Sequence, residues 1–181
     1  MIYSGSAETV MVVCADSYQE SKGREIKLIT MLSDGGGAII LKKGCERNRL
    51  LAIINQVQGS FHNFLNWEKE DYKRYDIVYF LEMTRVIHRA LQSAGLTIND
   101  LNLLLPHNTN ESSWTRVLTL LNLSENRFFG DNIKLHSHSG GADIIINLID
   151  ATKAGRLQPG EYALLTAAGL GACWGCVLIQ H

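Results

Sequence analysis

The sequence predicts an α/β protein in which helices cover sheets. Short apolar runs of strand length alternate with segments whose apolar residues follow helical spacing, and glycines mark many of the connections. With 181 residues, the chain is long enough to bury a substantial core. Its 46% hydrophobic and 19% charged residues are typical of a globular protein rather than a disordered one.

The strands are predicted from apolar runs that are bounded by polar residues or glycine. These runs are residues 9–15, 31–41, 50–57, 101–105, 133–135, 161–167 and 173–180. A polar loop is expected over residues 18–27. The charged segment 42–48 is interpreted as the crossing between two subdomains. The last two strands are expected to form a hairpin through Ala168, Gly169, Leu170 and Gly171.

The helices are predicted at residues 76–94, 111–121 and 142–154, where apolar residues recur every three or four positions. Gly95 and Gly155 are expected to end the first and last of them. The predicted apolar face of the first helix consists of Ile77, Phe80, Leu81, Thr84, Ile87, His88 and Leu91. Residues 58–73 carry aromatic side chains among polar ones, which is typical of a loop that faces a substrate or of an interface.

Charge and patterning exclude several classes of function. The net charge of −1 provides no basic field for nucleic acid or an anionic membrane. No apolar run approaches the ~20 residues of a membrane-spanning helix, and the N-terminus lacks a secretory pattern, so a soluble cytoplasmic protein is expected. Nucleotide binding is not predicted, because the glycine run 34–37 lacks the Lys-Ser/Thr of a phosphate loop.

Cys14 and Cys45 lie in or beside apolar, strand-like stretches, and the thiols of Cys173 and Cys176 are interpreted as buried core groups. Cys173 and Cys176 form a C-x-x-C, but they lie in a predicted strand, whereas a redox pair usually opens a helix. No second C-x-x-C completes a four-thiolate zinc site.

Two histidines lie where apolar runs give way to polar and small residues. His107 follows Pro106 at the end of the run 101–105, and His138 lies in the segment His136-Ser-His138-Ser-Gly-Gly. Such positions at strand ends often present side chains to a pocket. A metal site formed by both histidines and His136 is not predicted, because no acidic or thiol ligand is obviously close.

Five segments together resemble the β-ketoacyl-acyl-carrier-protein synthase III group of thiolase-fold condensing enzymes. Residues 104–110 resemble the family's V-P-H-Q-A-N segment, residues 155–160 its G-R-I-K-P-G, and residues 164–175 its closing G-G-G-F-T-W-G hairpin. Residues 10–16 and 31–41 resemble two strands that precede them. The resemblance implies the C-terminal half of a thiolase-like fold, with a mixed five-stranded sheet at residues 44–181, plus two strands of the N-terminal half at residues 1–43.

The resemblance also implies site residues. His107 falls on the family's catalytic histidine, and His138 falls on the asparagine of an H-G-N-T turn, which is a departure. Asn110 falls on the asparagine of H-Q-A-N and is expected to shape the loop beside the substrate. Gly169, Leu170 and Gly171 replace the family's Gly-Gly-Gly, where a backbone N–H serves as an oxyanion donor. His136 is expected to be structural.

The family's nucleophilic cysteine lies upstream of everything in this sequence, and Cys14 occupies an ordinary core position. The expected partner is therefore a separate N-terminal-half subunit that carries the cysteine, in a hetero-oligomer that covers the unpaired strands. The expected substrates are acyl-CoA or acyl-carrier-protein thioesters, with acyl carrier protein as a further partner and no tightly bound cofactor or metal. The expected function is thioester condensation in fatty-acid or polyketide-type biosynthesis, with the catalytic histidines supplied by this chain. Acyl transfer to an alcohol or amine and a non-catalytic structural role are the alternatives.

Overall fold

The computed structural model describes residues 1–2, 4–18 and 30–181. Its principal elements, in chain order, are β1 (Thr9–Asp16), β2 (Gly35–Lys42), β3 (Arg49–Val57), α1 (Lys69–Ser93), β4 (Leu103–Leu105), α2 (Glu111–Leu121), α3 (Asp131–Leu135), α4 (Asp143–Lys153), β5 (Tyr162–Gly169) and β6 (Cys173–Gln180). Short 3₁₀ turns lie at Gly59–Phe61, Phe64–Asn66, Glu125–Arg127 and Gly140–Ala142. Apart from Tyr18 at its start, the predicted loop at 18–27 lies outside the described residues.

Two sheets organise the chain. Strands β1 and β2 form an antiparallel pair, and the larger sheet has the order β3-β6-β5-β4. In the larger sheet β4 runs parallel to β5, whereas the other neighbours are antiparallel, so the sheet is mixed. The helices pack against these sheets, which confirms the predicted α/β class.

The larger sheet has four strands within the described residues, because the expected strand at 133–135 belongs to helix α3. A strand would place Ile133 and Leu135 on the same face. Instead, Ile133 packs against the core while Leu135 is 73% exposed. The helical turn also lets the side chain of Asn132 point inward, where it is buried.

Both faces of the larger sheet are covered. On one face, α1 and α2 pack around Leu104, Leu164 and Leu178, and on the other, Ala151 of α4 packs with Leu103 and its neighbours. Successive β4 leucines therefore enter different cores, which explains why this segment is an unbroken apolar run rather than an alternating one.

Helix α1 begins at Lys69, earlier than predicted, because Glu68 and Asp71 form a reciprocal capping box. The predicted apolar face was also rotated from the true one, since Ile77 and Leu81 are more than half exposed. Phe80, Ile87 and Leu91 are buried as predicted, whereas His88 is exposed. Met83, Val86 and Ala90 complete the buried apolar face. The helix ends as predicted, with Gly95 at a φ of +71°.

The β1–β2 pair contacts the rest of the described chain through its inner face, which packs on the turn Gly140–Ala142 and on α4. A Cβ on Gly37 would lie only 2.9 Å from Cδ1 of Ile145, so glycine permits the close packing of β2 on α4. The outer face is apolar yet open: Met11 is 65%, Val13 61% and Ile40 68% exposed. We call Met11, Val13, Ala38 and Ile40 the outer apolar face.

The cysteines are all unpaired. Cys173 and Cys176 lie in β6 as predicted, but only Cys176 is buried. The core-thiol interpretation was wrong for Cys173, which is exposed, because alternate side chains of a strand point to opposite faces. Cys45 is also exposed and lies in a surface turn. In the part of the chain that the structure describes, no helix has the length and apolar character needed to cross a bilayer.

Candidate active site

His107 is held rigidly just beyond the end of β4. Its backbone N–H donates to the carbonyl of Thr166 at 2.9 Å, and its carbonyl accepts a hydrogen bond from Nε1 of Trp114, also at 2.9 Å. The ring packs edge-on against Trp114 and is only 2% exposed. Nε2 lies 3.3 Å from the hydroxyl of Tyr79, and Nδ1 is buried without a hydrogen-bond partner among the described residues.

His138 lies beside His107. Their ring centroids are 5.8 Å apart, and the rings are inclined at 73°. The two histidines come from loops that are distant in sequence, one after β4 and the other before α4. The structure therefore brings together the pair that the sequence singled out.

Asp143, the first residue of α4, anchors His138. Its Oδ2 accepts a hydrogen bond from Nδ1 of His138 at 2.5 Å and another from the backbone N–H of Asn108 at 2.7 Å. Its Oδ1 accepts from the backbone N–H and the hydroxyl of Ser139. The carboxylate is fully buried, and these hydrogen bonds compensate its desolvation.

Asn147 supports the His107 loop from the same helix. Its Nδ2 donates to the carbonyl of Pro106 at 2.7 Å and to Oδ1 of Asn108 at 2.8 Å. Its Oδ1 accepts from Asn132, which is itself buried. This buried polar network joins both histidine loops to α4.

The electrostatics of the two histidines differ. Burial lowers the pKa of His107 to about 3; the nearby His138 lowers it further, whereas Asp143 opposes the shift. His107 is therefore neutral at physiological pH. For Asp143, burial alone would raise the pKa, but the hydrogen bonds from His138, Asn108 and Ser139 outweigh it and hold the pKa below its ordinary value. Asp143 is consequently a carboxylate at neutral pH.

The protonation pattern of His138 follows from this partner. A carboxylate can only accept hydrogen bonds, so Nδ1 of His138 must carry a proton. In the neutral ring, Nε2 then holds the lone pair and accepts a proton, as in an Asp–His dyad. Nε2 can donate a hydrogen bond only when the ring is an imidazolium.

Segment 31–33 holds the His138 loop from the side of the small sheet. The backbone N–H of His138 donates to the carbonyl of Met31, and the backbone N–H of Ser33 donates to the carbonyl of His138, both at 2.9 Å. The neighbouring Ser137 adopts a left-handed φ of +59°, which turns the loop sharply. Gly141 donates its N–H to Asp16 of β1 at 3.1 Å.

The other predicted site residues lie at a helix N-cap, in a turn and at the surface. Asn110 is the N-cap of α2, where its Oδ1 accepts from the backbone N–H of Ser113 at 2.8 Å. Gly169, Leu170 and Gly171 form the half-buried turn between β5 and β6. His136 is nearly half exposed and lies 3.7 Å from Asp150. Within residues 1–2, 4–18 and 30–181, no group of three or more His, Cys, Asp or Glu side chains is arranged for a metal ion.

Sequence reasoning missed Tyr79, Asn108, Asp143 and Asn147. For α4 a signal was present: Asp143 and Asn147 are polar residues four apart in the otherwise apolar stretch 143–149, and this spacing places both on one face. For Tyr79 no local signal exists, since its contact with His107 depends on how α1 packs across the sheet.

The mixed sheet, the helical layers and the paired histidines define an α/β protein of thiolase-like fold. The chain belongs to the family described as 3-Oxoacyl-[acyl-carrier-protein (ACP)] synthase III C terminal, which matches residues 91–181, half of its length. The resemblance to this family predicted from the sequence is thus confirmed.

Individual relatives agree. The chain is 28% identical over 186 residues to β-ketoacyl-[acyl-carrier-protein] synthase III of Aquifex aeolicus. This alignment covers 99% of the chain and 60% of the relative. The crystal structure of 3-oxoacyl-[acyl-carrier-protein] synthase III from the same organism superimposes with a TM-score of 0.80 at 26% identity. The structure from Pseudomonas aeruginosa PAO1 gives a TM-score of 0.82 at 24% identity, which supports the fold. The chain spans about 60% of the length of these relatives.

Proposed function

We propose that this chain is the histidine-bearing half of a thioester-dependent acyltransferase, with the nucleophilic cysteine supplied by a separate N-terminal-half polypeptide. The single observation that carries the proposal is the Asp143–His138 dyad, whose His138 lies 5.8 Å from the neutral ring of His107. The donor is an acyl-CoA or acyl-carrier-protein thioester, and the acceptor is a hydroxyl or amine.

The proposed reaction has two steps. The partner's cysteine thiolate attacks the thioester carbonyl, a new C–S bond forms, the original C–S bond breaks, and the donor thiol leaves. The acceptor then attacks the acyl-cysteine and gives its proton to Nε2 of His138, while the cysteine leaves as a thiolate. The imidazolium is held by Asp143, and its proton passes to solvent when the cycle closes. Such a base contributes about 10²–10⁴-fold to the rate.

Neutral His107 is proposed to donate a hydrogen bond to the reacting carbonyl oxygen. With a pKa of about 3, this ring is a weak base near pH 7, so polarising the carbonyl is a better role for it than general-base catalysis. The backbone of Gly169, Leu170 and Gly171 is proposed to provide a further donor, as the family resemblance implies.

Condensation with a malonyl thioester, as in fatty-acid or polyketide-type biosynthesis, is the second candidate. The closeness of the two histidine rings favours it, because two donors can hold one enolate oxygen as carbon dioxide leaves. In that reaction His138 would have to donate from Nε2, which requires its imidazolium form. The dyad therefore supports acyl transfer better than condensation.

The outer apolar face supports the requirement for a complementary half. Met11, Val13 and Ile40 are each more than 60% exposed, and apolar strands of this kind are normally covered. We propose that the cysteine-bearing half covers this face in a hetero-oligomer, with acyl carrier protein as a transient partner.

The test is reconstitution of the chain with a cysteine-bearing half, followed by two assays. Acyl transfer should release donor thiol beyond one equivalent per complex only when a hydroxyl or amine acceptor is present, and without carbon dioxide. Condensation should release carbon dioxide from a malonyl thioester. His138→Asn separates the two, because asparagine can donate to an enolate but cannot accept a proton. We expect His138→Asn to be as inactive as His138→Ala. Retained carbon dioxide release by His138→Asn would establish condensation instead, and a wild-type complex inactive in both assays would leave the structural role.

A further inference from the structure

Tyr79 makes a contact with the site that the proposed reaction does not use. Its hydroxyl lies 3.3 Å from Nε2 of His107, at the buried side of helix α1. The ring is fixed in a stack of aromatic side chains, with its centroid 5.8 Å from that of Tyr75 and 5.1 Å from that of Phe80. Contacts with these two rings restrict the position of the Tyr79 hydroxyl.

The two histidines therefore have chemically different partners. Nδ1 of His138 faces a carboxylate, which can only accept and therefore requires a proton on that nitrogen. Nε2 of His107 faces a phenol, which can donate a hydrogen bond without adding charge. Burial of Tyr79, reinforced by Tyr75, raises the pKa of its hydroxyl and outweighs a hydrogen bond with Thr109, which lowers it, so the phenol stays protonated.

We propose that Tyr79 is the positioning residue of His107: its O–H donates to Nε2, which fixes the ring and leaves the ring proton on Nδ1. Nδ1 is the atom that is buried without a hydrogen-bond partner in the described part of the chain. Tyr79 acts on the reaction by fixing the orientation of this ring. The catalytic part of the inference rests on the proposed function, whereas the tautomer does not.

The test uses the reconstituted complex with ¹⁵N-histidine incorporated only into this chain. His107→Gln assigns the resonances of His107. We expect the wild-type ring to be a neutral Nδ1–H tautomer. The ¹⁵N chemical shift of Nε2 should differ from that of an imidazole nitrogen whose lone pair accepts no hydrogen bond, which is the free value. In Tyr79→Phe the aromatic stack is kept and the hydroxyl is lost, so the Nε2 shift should return toward the free value or the tautomers should mix.

Tyr75→Phe is the matched control. It removes the same group from the adjacent ring of the stack, and it should leave the His107 resonances unchanged. A second measurement places 3-fluorotyrosine at position 79, where the more acidic phenol should move the Nε2 shift further from the free value. This readout does not depend on the Phe variant retaining its fold.

In the acyl-transfer assay, Tyr79→Phe should lower kcat by roughly three- to tenfold, the range expected for one neutral hydrogen bond, with KM changed less than about twofold. Identical His107 spectra in the wild type, Tyr79→Phe and the fluorotyrosine protein would overturn the inference, as would an Nε2–H tautomer in the wild type. If the spectra change as expected but the wild-type complex transfers no acyl group, the proposed function fails while the role of Tyr79 in fixing the tautomer stands.

Discussion

Asp143 and Asn147 lie one turn apart on the buried face of α4, and together they hold both histidine loops. Asp143 accepts hydrogen bonds from His138 and from the backbone of Asn108, while Asn147 donates to the carbonyl of Pro106. The distance between the two imidazoles is therefore determined by a single rigid helix rather than by two independent loops.

The first prediction is that Asp143→Asn loses both stability and acyl transfer. The asparagine amide presents a donor where Ser139, Asn108 and His138 already donate, so at least one buried group loses its partner. We expect the free energy of unfolding to fall by about 2–3 kcal/mol in urea titrations. Acyl transfer per folded complex should fall by on the order of 10⁴-fold, as in another Asp–His dyad.

Asp131→Asn is the control for this change, because Asp131 is an exposed residue of the short helix α3. It should remain within about 0.5 kcal/mol of the wild type. Equal stability of the two variants would contradict the assignment of Asp143 as the anchor of both loops.

The second prediction concerns acid sensitivity. The pKa of His107 is about 3 in the folded protein and about 6.5 as an ordinary value. Below pH 6.5, His107 binds a proton in the unfolded chain but not in the folded chain. The free energy of unfolding therefore decreases progressively as the pH falls toward 3. His107→Gln removes this contribution. Between pH 6.5 and 5, the wild type should lose roughly 2 kcal/mol more of its free energy of unfolding than His107→Gln.

Chemical denaturation at both pH values provides the measurement. All other titrating groups are common to the two proteins, so the difference isolates His107. Parallel losses in the two proteins would show that His107 is not a buried neutral histidine.

The third prediction tests the link between the small sheet and His138. A Cβ on Gly35 would overlap the side chain of Ser139, which is hydrogen bonded to Asp143. Gly35→Ala should therefore displace the His138 loop, destabilise the fold by about 1–3 kcal/mol and reduce acyl transfer. In Gly36→Ala the nearest atom, the carbonyl oxygen of Cys14, would lie at 3.4 Å, so thermal unfolding and activity should stay close to wild type. Equal losses of stability and activity in the two variants would show that the contact between Gly35 and Ser139 does not position the His138 loop.

The fourth prediction concerns association. Replacing Met11 and Ile40 with lysine puts charge on the outer apolar face without touching the inner face of the sheet. The dissociation constant for the cysteine-bearing half should rise at least tenfold in calorimetric titrations, while circular dichroism of the chain is unchanged. Leu120→Lys, at an exposed apolar position on α2, is the matched control and should bind normally. Normal binding by the double variant would exclude this face from the interface.

Elements governed by local signals were well predicted. Helix α2 and strand β6 have the predicted bounds, and Gly95 and Gly155 follow the helices they were expected to end, both with positive φ. The start of α1 was missed because the cap formed by Glu68 and Asp71 lies in a stretch that was interpreted from its aromatic residues.

The candidate site was predictable only in part. His107 and His138 follow from motifs. Their closeness was expected because both were placed at strand ends, which holds for His107, whereas His138 follows helix α3. The partners that give them different properties, Tyr79 and Asp143, depend on how α1 and α4 pack across the sheet. Helix α3 was missed because the three-residue apolar pattern around Ile133 fits a strand and a helical turn equally well.

The hydrogen bonds between segment 31–33 and His138 join parts of the chain that are more than a hundred residues apart. Detachment of the small sheet would break them and free the His138 loop while the four-stranded core remained intact. We therefore expect the candidate site to open locally at a lower free energy than complete unfolding requires. Amide hydrogen exchange at Ser33 and His138 should accordingly be faster than at Leu164, and binding of the complementary half should slow it.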